Sequence, residues 1–488
     1  MIWRNAKQMS TMVIDGKPAS ARSGATVEIH DPATGELVDK VPQAGVEETR
    51  QAIDAAHTAF RGWADTLPQK RAQILMKGAA LARQHLDEVA SLLTREQGKP
   101  LRDSKIEAER FVENIEYYAM LSASGAIRGK HVQLSVPGAF GLVVRRPLGV
   151  VGAIIPWNFP LTLLANKIAP ALAVGNTVVA KPASTTPLST IRLVELMNEG
   201  GLPPGVLNVV VGPGAVVGQE LIKNPKVRKI GFTGETQTGK QVMAEAASDL
   251  KHVTLELGGS DPAIVCDDAD LEQASKAIAI GRFFNAGQAC LAVKRVYVFD
   301  SVADQLIEKL AARAKKLKVA PGSDAASQMG PMHTAGGREG IEAQLKDALD
   351  RGARLVAGGK RLSGAPFDRG YFFEPTIVTD VPWEARVWRE ETFGPLLPIA
   401  RVKDLDEAFE RANDSEFGLG SSIFTRDLKR AQLGIDRLDA GYTWVNTIQV
   451  AYDELPFGGT KHSGFGKEHG VEVLDFYTEQ KSVVVAGV

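Results

Sequence analysis

Cysteine and net charge are both scarce in this sequence. Only 2 of the 488 residues are Cys, which argues against a disulfide framework and fits a reducing compartment. Lys and Arg number 57 and Asp and Glu 58, so the formal net charge is −1. A protein with this balance of charges is not expected to have the broad basic surface of a nucleic-acid-binding protein. The 8 His are scattered without the spacing of metal ligands, so we expect no metal site.

A hydrophobic segment that could cross a membrane is also missing. The longest uncharged run, residues 147–166, has about the length of a membrane span. It contains Pro156, Asn158 and Pro160, which a lipid-exposed helix tolerates poorly. We interpret the run as a buried strand, a tight turn and the start of a helix. Residues 1–9 have no apolar core of the length that a secretory signal needs, so we expect a cytoplasmic protein with no membrane partner.

The remaining pattern is that of a large α/β protein. From Gly149 onwards short apolar strands alternate with helices, which predicts βαβ units and a parallel sheet covered on both faces. The predicted strands of this region are 150–155, 177–180, 207–211 and 227–232, and the predicted helices are 163–174, 188–198, 215–222 and 238–247. A second α/β region has predicted strands at 263–265, 295–299, 354–357 and 397–400. The β-branched tail, residues 481–486, is expected to pair with another segment or subunit.

One strand-to-helix turn could bind phosphate. Residues 230–239 place Gly234 and Gly239 where a strand ends and a helix begins. Glycines there let the main chain approach a pyrophosphate, which the N-terminal N–H groups and the dipole of the helix attract. A turn that needs glycine only for its geometry is an equally good interpretation, because the G-x-G-x-x-G fingerprint is not present.

The two cysteines have different surroundings. Cys266 ends an apolar strand, where a thiol acts as a small hydrophobic side chain. Cys290 follows Gly287 in a segment of small residues that leaves the sulfur accessible. The residues around Cys290 do not decide between a reactive and a structural thiol, since reactivity depends on pKa and exposure.

Other segments add polar groups suited to catalysis. Asn158 is held between two prolines, and Glu256 lies in the apolar sequence Leu-Glu-Leu-Gly-Gly, which would raise its pKa towards that of a general base. Residues 390–395 and 455–464 form Gly- and Pro-containing loops with polar anchors. With these motifs in this order, the sequence resembles the aldehyde dehydrogenase superfamily from about residue 31 to residue 485.

The resemblance implies three catalytic residues. Cys290 matches the nucleophile that attacks the aldehyde carbon, and Asn158 matches the donor to the tetrahedral oxygen. Glu256 matches the base that activates water to hydrolyse the thioester. Glu468 matches an acidic residue that relays a proton in relatives, and a solvated surface charge is an equally good interpretation.

The resemblance also implies a cofactor, NAD or NADP. Lys181 would reach the adenosine ribose, Glu391 would accept hydrogen bonds from the nicotinamide ribose, and Phe393 would pack beside it. The full set of expected cofactor-binding residues is Ile154, Pro156, Trp157, Lys181, Ser184, Gly214, Phe232, Thr233, Gly234, Glu235, Leu257, Glu391 and Phe393.

Two cofactor positions depart from the common pattern. Ser184 stands where NAD-specific members often carry Glu, and a neutral hydroxyl beside Lys181 should admit the 2′-phosphate of NADP. We therefore expect use of NADP at least comparable with NAD. Glu235 stands where relatives commonly have Ser, and we expect its side chain to turn away from the phosphates.

The substrate is expected to be a mainly apolar, uncharged aldehyde. Relatives acting on succinate semialdehyde tend to carry Arg at the position of Asn166, and Asn cannot supply that charge-assisted clamp. The expected walls of the tunnel are apolar, although each residue could equally be ordinary core; they are Phe159, Leu163, Ala289, Leu291, Val450 and Ala451. A semialdehyde dehydrogenase of the succinate-semialdehyde type remains an alternative.

Three further alternatives stay open. A CoA-acylating enzyme is disfavoured by Glu256, which such relatives generally lack. A cysteine hydrolase or amidase would need no cofactor, and an inactive binding protein would have no chemical need for Cys290, Asn158 and Glu256 together.

The fold implied by the resemblance is an α/β architecture with a Rossmann-like cofactor domain, an α/β catalytic domain and a small β oligomerisation arm. Residues 1–127 and 147–257 would form the dinucleotide-binding domain, and residues 258–460 the catalytic domain. Residues 128–146 and 461–488 would form the arm and the C-terminal tail, which favours a homodimer or homotetramer.

Overall fold

The computed structural model describes residues 10–125 and 129–486. The strands of the first half are β1 Met12–Ile14, β2 Lys17–Ala19, β3 Thr26–His30, β4 Leu37–Pro42, β5 Lys130–Gln133, β6 Ala139–Pro147, β7 Val150–Ile154, β8 Thr177–Lys181, β9 Leu207–Val209, β10 Val227–Thr233 and β11 His252–Glu256. The later strands are β12 Asp261–Val265, β13 Val293–Phe299, β14 Arg354–Ala357, β15 Thr376–Thr379, β16 Leu396–Val402, β17 Phe417–Gly418, β18 Gly420–Phe424, β19 Tyr442–Val445, β20 Thr460–Lys461, β21 Gly464–Phe465 and β22 Thr478–Ala486. Residues 1–9 and the predicted domain boundary at residues 127 and 128 lie outside the described residues.

Helices separate most of these strands. They are α1 Val46–Ala64, α2 Pro68–Gln84, α3 Leu86–Gln97, α4 Leu101–Ser124, α5 Pro160–Val174, α6 Leu188–Glu199, α7 Gln219–Lys223, α8 Thr236–Ala246, α9 Leu271–Phe283, α10 Asp300–Lys316, α11 Ala335–Asp350, α12 Arg386–Arg389, α13 Leu405–Asn413 and α14 Leu428–Arg437. A π-helical turn, Gly214–Gly218, precedes α7.

The first sheet has the strand order β2-β1-β9-β8-β7-β10-β11-β21. Its central strands, β9, β8, β7, β10 and β11, run parallel. Strand β7 is buried along its whole length, as expected for an apolar strand covered on both faces. The predicted βαβ alternation is confirmed here, with element ends shifted by up to four residues.

The second sheet has the order β14-β15-β16-β13-β12-β18-β19, and only its β14 edge pairs in the antiparallel sense. The four strands predicted for this region are all present as β12, β13, β14 and β16. Each sheet has its own hydrophobic core. The predicted α/β fold class is therefore confirmed.

The uncharged run at residues 147–166 forms strand β7, a turn and the first turns of α5, as predicted. Across the described ranges, the structure contains no helix with both the length and the apolar character that spanning a membrane requires.

The tail forms strand β22, which pairs antiparallel with β6, while β6 also pairs with β5. The predicted pairing of residues 481–486 is confirmed within the chain, for example Lys481 opposite Val144. The segment before this strand packs with the first sheet instead. Strand β21 pairs with β11, and Leu474 and Tyr477 lie in the core of the first sheet. The division into domains stays a prediction, and these contacts place residues 464–477 with the first sheet.

Candidate active site

The carboxyl ends of four parallel strands bring predicted site residues together. Ile154 pairs with Lys181 at the ends of β7 and β8, and Thr233 pairs with Glu256 at the ends of β10 and β11. In open α/β sheets ligands bind in the crevice outside these strand ends. The fold thus gathers at one edge residues that lie more than 100 positions apart.

Lys181 is buried at this edge, so it is not a surface charge. Its Nζ donates a hydrogen bond to the carbonyl of Pro182 at 3.0 Å, and burial lowers its pKa to about 8. The hydroxyl of Ser184 donates to the carbonyl of Gly212 at 3.1 Å. The turn that begins at Gly214 lies alongside, since a Cβ at Gly218 would touch the Lys181 side chain at 4.0 Å.

The predicted phosphate turn connects β10 to α8. Glu235 is the N-cap residue, but its side chain accepts no hydrogen bond from the first turn and is exposed. Gly239 packs directly on Leu257, where a Cβ would come within 2.4 Å of the leucine Cδ2. Glycine there allows the helix to approach the strand end closely, so α8 presents its N-terminal N–H groups at the same edge.

Cys290 lies in a partly buried position, whereas Cys266 is completely buried. Cys290 and Leu291 pack against an aromatic cluster that also holds Ala451; its buried members are Leu419, Tyr442, Trp444 and Phe457. Burial raises the pKa of the Cys290 thiol to about 12, although the charge of Lys294 acts in the opposite direction. The resting group is therefore a thiol, and attack on a substrate requires removal of its proton.

The loop before Cys290 adopts an uncommon backbone conformation. Asn285 and Ala286 have φ of 50° and 53°, in the left-handed region that non-glycine residues rarely occupy. The Asn285 amide donates to the carbonyls of Asn158 and Gln288, at 3.1 and 3.2 Å. These bonds compensate for the strain and fix the loop to the Asn158 segment.

Asn158 is buried and faces the same loop. Its Nδ2 donates to the carbonyl of Gln288 at 3.2 Å, and its own carbonyl accepts from Lys99 Nζ at 2.7 Å. Lys99 is in turn paired with the buried carboxylate of Glu107. A side-chain amide carries two N–H donors, so the bond to Gln288 leaves a second donor for another acceptor near Cys290.

Glu256 is buried, and neither of its carboxylate oxygens has a hydrogen-bond partner among the described residues. Burial raises its pKa well above the ordinary value, and repulsion from the charge of Glu468 raises it further. The raised pKa makes this carboxylate a stronger base than an ordinary exposed carboxylate.

Glu468 belongs to a buried polar cluster, so its interpretation as a solvated surface charge is wrong. The residue is 1 % exposed. Its oxygens accept from Lys167 Nζ at 2.7 Å and from Asn166 Nδ2 at 2.9 Å. Burial raises the pKa of Glu468, but these two partners more than offset it, so the net shift is downward. Lys167 also donates to Thr233 Oγ1 at 2.6 Å, which connects the cluster to the strand edge.

Glu391 is connected to the main chain of Cys290 through Lys294, and Phe393 follows two residues later. Glu391 Oε1 accepts from Lys294 Nζ at 2.8 Å and from the N–H of Gly259 at 3.1 Å. Phe393 contacts Trp157 edge-on, with ring centroids 5.7 Å apart. The other face of Trp157 stacks on His333 at 4.5 Å.

The expected substrate walls have mixed exposure. Leu163 is buried, Phe159 is half-buried and stacks on Phe284, and Ala451 packs against the same aromatic cluster as Cys290. Val450 is 41 % exposed, which excludes ordinary core packing for this residue. Arg110 of α4 donates to the carbonyl of Ala451 at 2.8 Å and pairs with Glu113 at 3.0 Å.

Several residues of the site escaped sequence reasoning. Four of them have charged or titratable side chains of the kind that usually lie at the solvent-exposed surface. All four are buried; they are Lys99, Lys167, Lys294 and His333. For two of these residues, the position in the sequence could have indicated a place in the site. Lys167 is adjacent to Asn166, and Lys294 lies four residues after Cys290.

Within residues 10–125 and 129–486, no group of three or more His, Cys, Asp or Glu side chains is arranged to hold a metal ion.

Comparison with known proteins gives a consistent picture. The model of the aldehyde dehydrogenase family matches residues 19–483. The chain is 41% identical over 478 residues to the Escherichia coli K12 protein named succinate-semialdehyde dehydrogenase (NADP(+)) GabD, covering 97% of both chains. It is also 41% identical over 475 residues to a Pseudomonas aeruginosa protein named glutarate-semialdehyde dehydrogenase, again covering 97% of both. A crystal structure described as an E. coli NADP-dependent enzyme superposes with a TM-score of 0.95 at 41% identity, covering 98% of each chain.

Proposed function

The chain belongs to the aldehyde dehydrogenase family, and on that basis we propose that it oxidises an aldehyde to a carboxylic acid with NADP⁺ or NAD⁺, using Cys290 as the nucleophile. The observation that carries the proposal is that three buried or partly buried groups act on one loop. The amide of Asn158 binds the carbonyl of Gln288, two residues before Cys290, and the charge of the buried Glu256 raises the pKa of the Cys290 thiol.

The first step is the formation of a bond between Cys290 Sγ and the aldehyde carbon. Since burial keeps the thiol protonated, a base has to take its proton. We assign this role to Glu256, whose carboxylate has no competing hydrogen bond within the described ranges. The second N–H of the Asn158 amide stabilises the negative oxygen of the thiohemiacetal.

The second half of the reaction releases the acid. Oxidation of the thiohemiacetal leaves a thioester on Cys290. Glu256 releases the thiol proton to solvent and, ionised again, removes a proton from the water that hydrolyses the thioester. The raised pKa of Glu256 suits both proton transfers. The presence of this base favours hydrolysis over transfer of the acyl group to CoA.

The residues at the strand edge fit a nicotinamide dinucleotide, which when bound supplies the acceptor for the electron pair leaving the substrate carbon. Lys181 is a buried cation whose Nζ donates to a neutral carbonyl, as a site for a ribose or phosphate oxygen requires. The N-terminal turn of α8 offers N–H groups without a side-chain cap. Glu391 Oε2 remains for a ribose hydroxyl, since the two donors above engage Oε1.

We propose NADP⁺ as the better of the two cofactors. Ser184 is neutral and lies near Lys181, so the pocket lacks the carboxylate that would repel a 2′-phosphate. The names of the E. coli relative and of the superposed E. coli structure both include NADP. The neutral pocket and these relatives together support this choice.

For the substrate, we propose a short aldehyde that carries a carboxylate at its far end. Both relatives described above are named for such semialdehydes. Arg110 is the cation that we assign to this class, because it donates to the main chain of Ala451, which packs against the same aromatic cluster as Cys290.

A second candidate is an uncharged aldehyde of moderate size. Asn166 favours it, because this residue replaces the Arg expected of succinate-semialdehyde relatives and its amide is already bound to Glu468. Pairing of Arg110 with Glu113 further weakens attraction for an anion.

The test is a panel of succinate semialdehyde, glutarate semialdehyde, butanal and pentanal, each assayed with NADP⁺ and NAD⁺. Semialdehydes should give the higher kcat/KM. Cys290→Ala should abolish formation of reduced cofactor, and retained activity would refute the nucleophile. Glu256→Gln should slow the first turnover, because the thiol loses its base, and any thioester that does form should persist, which mass spectrometry of the intact protein can detect.

The oligomeric state and the compartment are also proposals. A homodimer or homotetramer would use the β5-β6-β22 sheet as its arm, and a reducing compartment such as the cytoplasm would keep Cys290 unoxidised. Light scattering and a free-thiol assay are the corresponding measurements.

A further inference from the structure

We propose that Lys294 is a positioning residue that connects the main chain of Cys290 to the carboxylate of Glu391 and whose charge favours the thiolate of Cys290. The inference rests on the proposed roles of Cys290 as nucleophile and Glu391 as a ribose-binding residue.

The geometry places the ammonium group of Lys294 between these two residues. Its side chain has no solvent exposure. Nζ donates to the carbonyl of Cys290 at 2.6 Å and to Glu391 Oε1 at 2.8 Å. The loop of the nucleophile and the carboxylate are therefore held by one cation, which water cannot screen.

The same contacts leave the two oxygens of Glu391 in different states. Oε1 accepts from both Lys294 and the N–H of Gly259. Oε2 points towards Gly258, where a Cβ would come within 2.5 Å of it. Lys294 thus fixes the carboxylate in one orientation, with Oε2 available to a ribose hydroxyl.

The charges around the thiol explain why a cation is needed at this position. Three carboxyl groups act on Cys290, namely Asp261, Glu256 and Glu391, and each raises the pKa of the thiol in addition to the larger effect of burial. Lys294 acts against them.

Arg282 is a second buried cation nearby. Its charge acts on Glu391 and Asp261, but its Nη2 donates to the carbonyls of Gly287 and Thr392. Loss of Lys294 would therefore leave the thiol facing carboxyl groups with no cation bound to the main chain of Cys290 itself.

The experiment measures alkylation of Cys290 by iodoacetamide across pH, without aldehyde or cofactor, in wild type, Lys294→Met and Lys294→Gln. Because the thiolate is the reacting species, the alkylation rate at pH 8 should fall at least about fivefold in both variants, which corresponds to a pKa increase of about 0.7. Lys276→Met, which removes an exposed charge from α9, should leave the rate unchanged. Cys290→Ser identifies any labelling of Cys266.

Binding of NADP⁺, followed by the change in total tryptophan fluorescence, separates the effect of Lys294 on Glu391 from its effect on Cys290. Gln keeps a hydrogen-bond donor for Glu391 and Met does not, so Kd should rise more in Lys294→Met than in Lys294→Gln. Equal alkylation rates in folded wild type and both variants would overturn the proposal. If neither variant folds, the alkylation rate of Glu391→Gln tests the proposal instead. Removal of this negative charge should accelerate alkylation of Cys290. An unchanged or slower rate would overturn the proposal.

These readouts do not depend on turnover. An absence of aldehyde oxidation by the wild type would refute the proposed function, whereas a change in alkylation would still report on the charge of Lys294.

Discussion

Lys167 Nζ lies 2.7 Å from Glu468 Oε1, and the two side chains are only 0% and 2% exposed. A buried ion pair of this kind persists because either charge alone would be costly in the interior. Its negative member repels the charge of Glu256 and contributes to the raised pKa of that carboxyl group. Lys167 acts in the opposite direction, so the two members of the pair together influence the pKa of the proposed base.

Glu468→Gln should shift the acidic limb of the pH profile of kcat to lower pH. The repulsion between Glu468 and Glu256 disappears, so Glu256 has a lower pKa and remains ionised, as a base must be, at lower pH. The same substitution leaves Lys167 without its partner, which should cost about 3–5 kcal/mol of unfolding free energy. The measurements are a pH–rate profile and thermal unfolding, with the exposed Glu472→Gln as control; a limb that moves to higher pH would contradict the prediction.

Lys99→Met should reduce both stability and kcat. Lys99 is completely buried, pairs with Glu107 and donates to the carbonyl of Asn158, so its loss should cost about 3–5 kcal/mol and release the segment that carries the proposed oxyanion donor. Denaturant unfolding and steady-state kinetics test this. Lys105→Met on helix α4, which breaks a half-exposed pair with Asp87, should change stability by at most about 1 kcal/mol. Equal effects of the two substitutions would contradict the prediction.

Ser184→Glu should change the cofactor preference. A carboxylate near Lys181 would repel the 2′-phosphate and bind the ribose hydroxyls of NAD⁺, so the ratio of KM for NADP⁺ to KM for NAD⁺ should rise at least about tenfold, equivalent to about 1.4 kcal/mol. Glu235→Gln, at an exposed position, should leave the ratio nearly constant. In the wild type, a KM for NADP⁺ more than about a hundredfold above that for NAD⁺ would refute the proposed use of NADP⁺.

Arg110→Met should discriminate between the two candidate substrate classes. If the carboxylate of a semialdehyde binds Arg110, KM for succinate semialdehyde should rise about tenfold while KM for butanal stays within about twofold, because a charge-assisted hydrogen bond contributes about 1.5–3 kcal/mol. Arg83→Met, on α2 and paired with Glu109 and Glu116, serves as control. A parallel change for both aldehydes would favour the uncharged substrate.

The sequence allowed prediction of most of the fold, because strands buried on both faces are apolar throughout and the helices between them have recognisable lengths. Strand β14 is at its predicted bounds, 354–357. The family is confirmed by the match over residues 19–483. The roles of Cys290, Asn158 and Glu256 stay predictions that the geometry supports.

The parts that escaped prediction depend on long-range contacts. Nothing in the local sequence distinguishes buried Lys167 from an exposed lysine, since its partner Glu468 lies about 300 residues away. Likewise, the pKa of Cys290 depends on Lys294 and on burial by several segments. Such properties require the tertiary structure because they arise from charges brought together only on folding.

The first sheet joins the beginning of the chain to its end, with β1 near one edge and β21 at the other. During synthesis, strand β11 can therefore pair with β21, and the charge of Glu468 can act on Glu256, only after residues 464–468 have left the ribosome. Folding cannot be completed from the N-terminus, one domain after another. A polypeptide that ended before residue 464 would contain Cys290 and Glu256 but would lack strand β21 and the carboxylate of Glu468, which complete their surroundings.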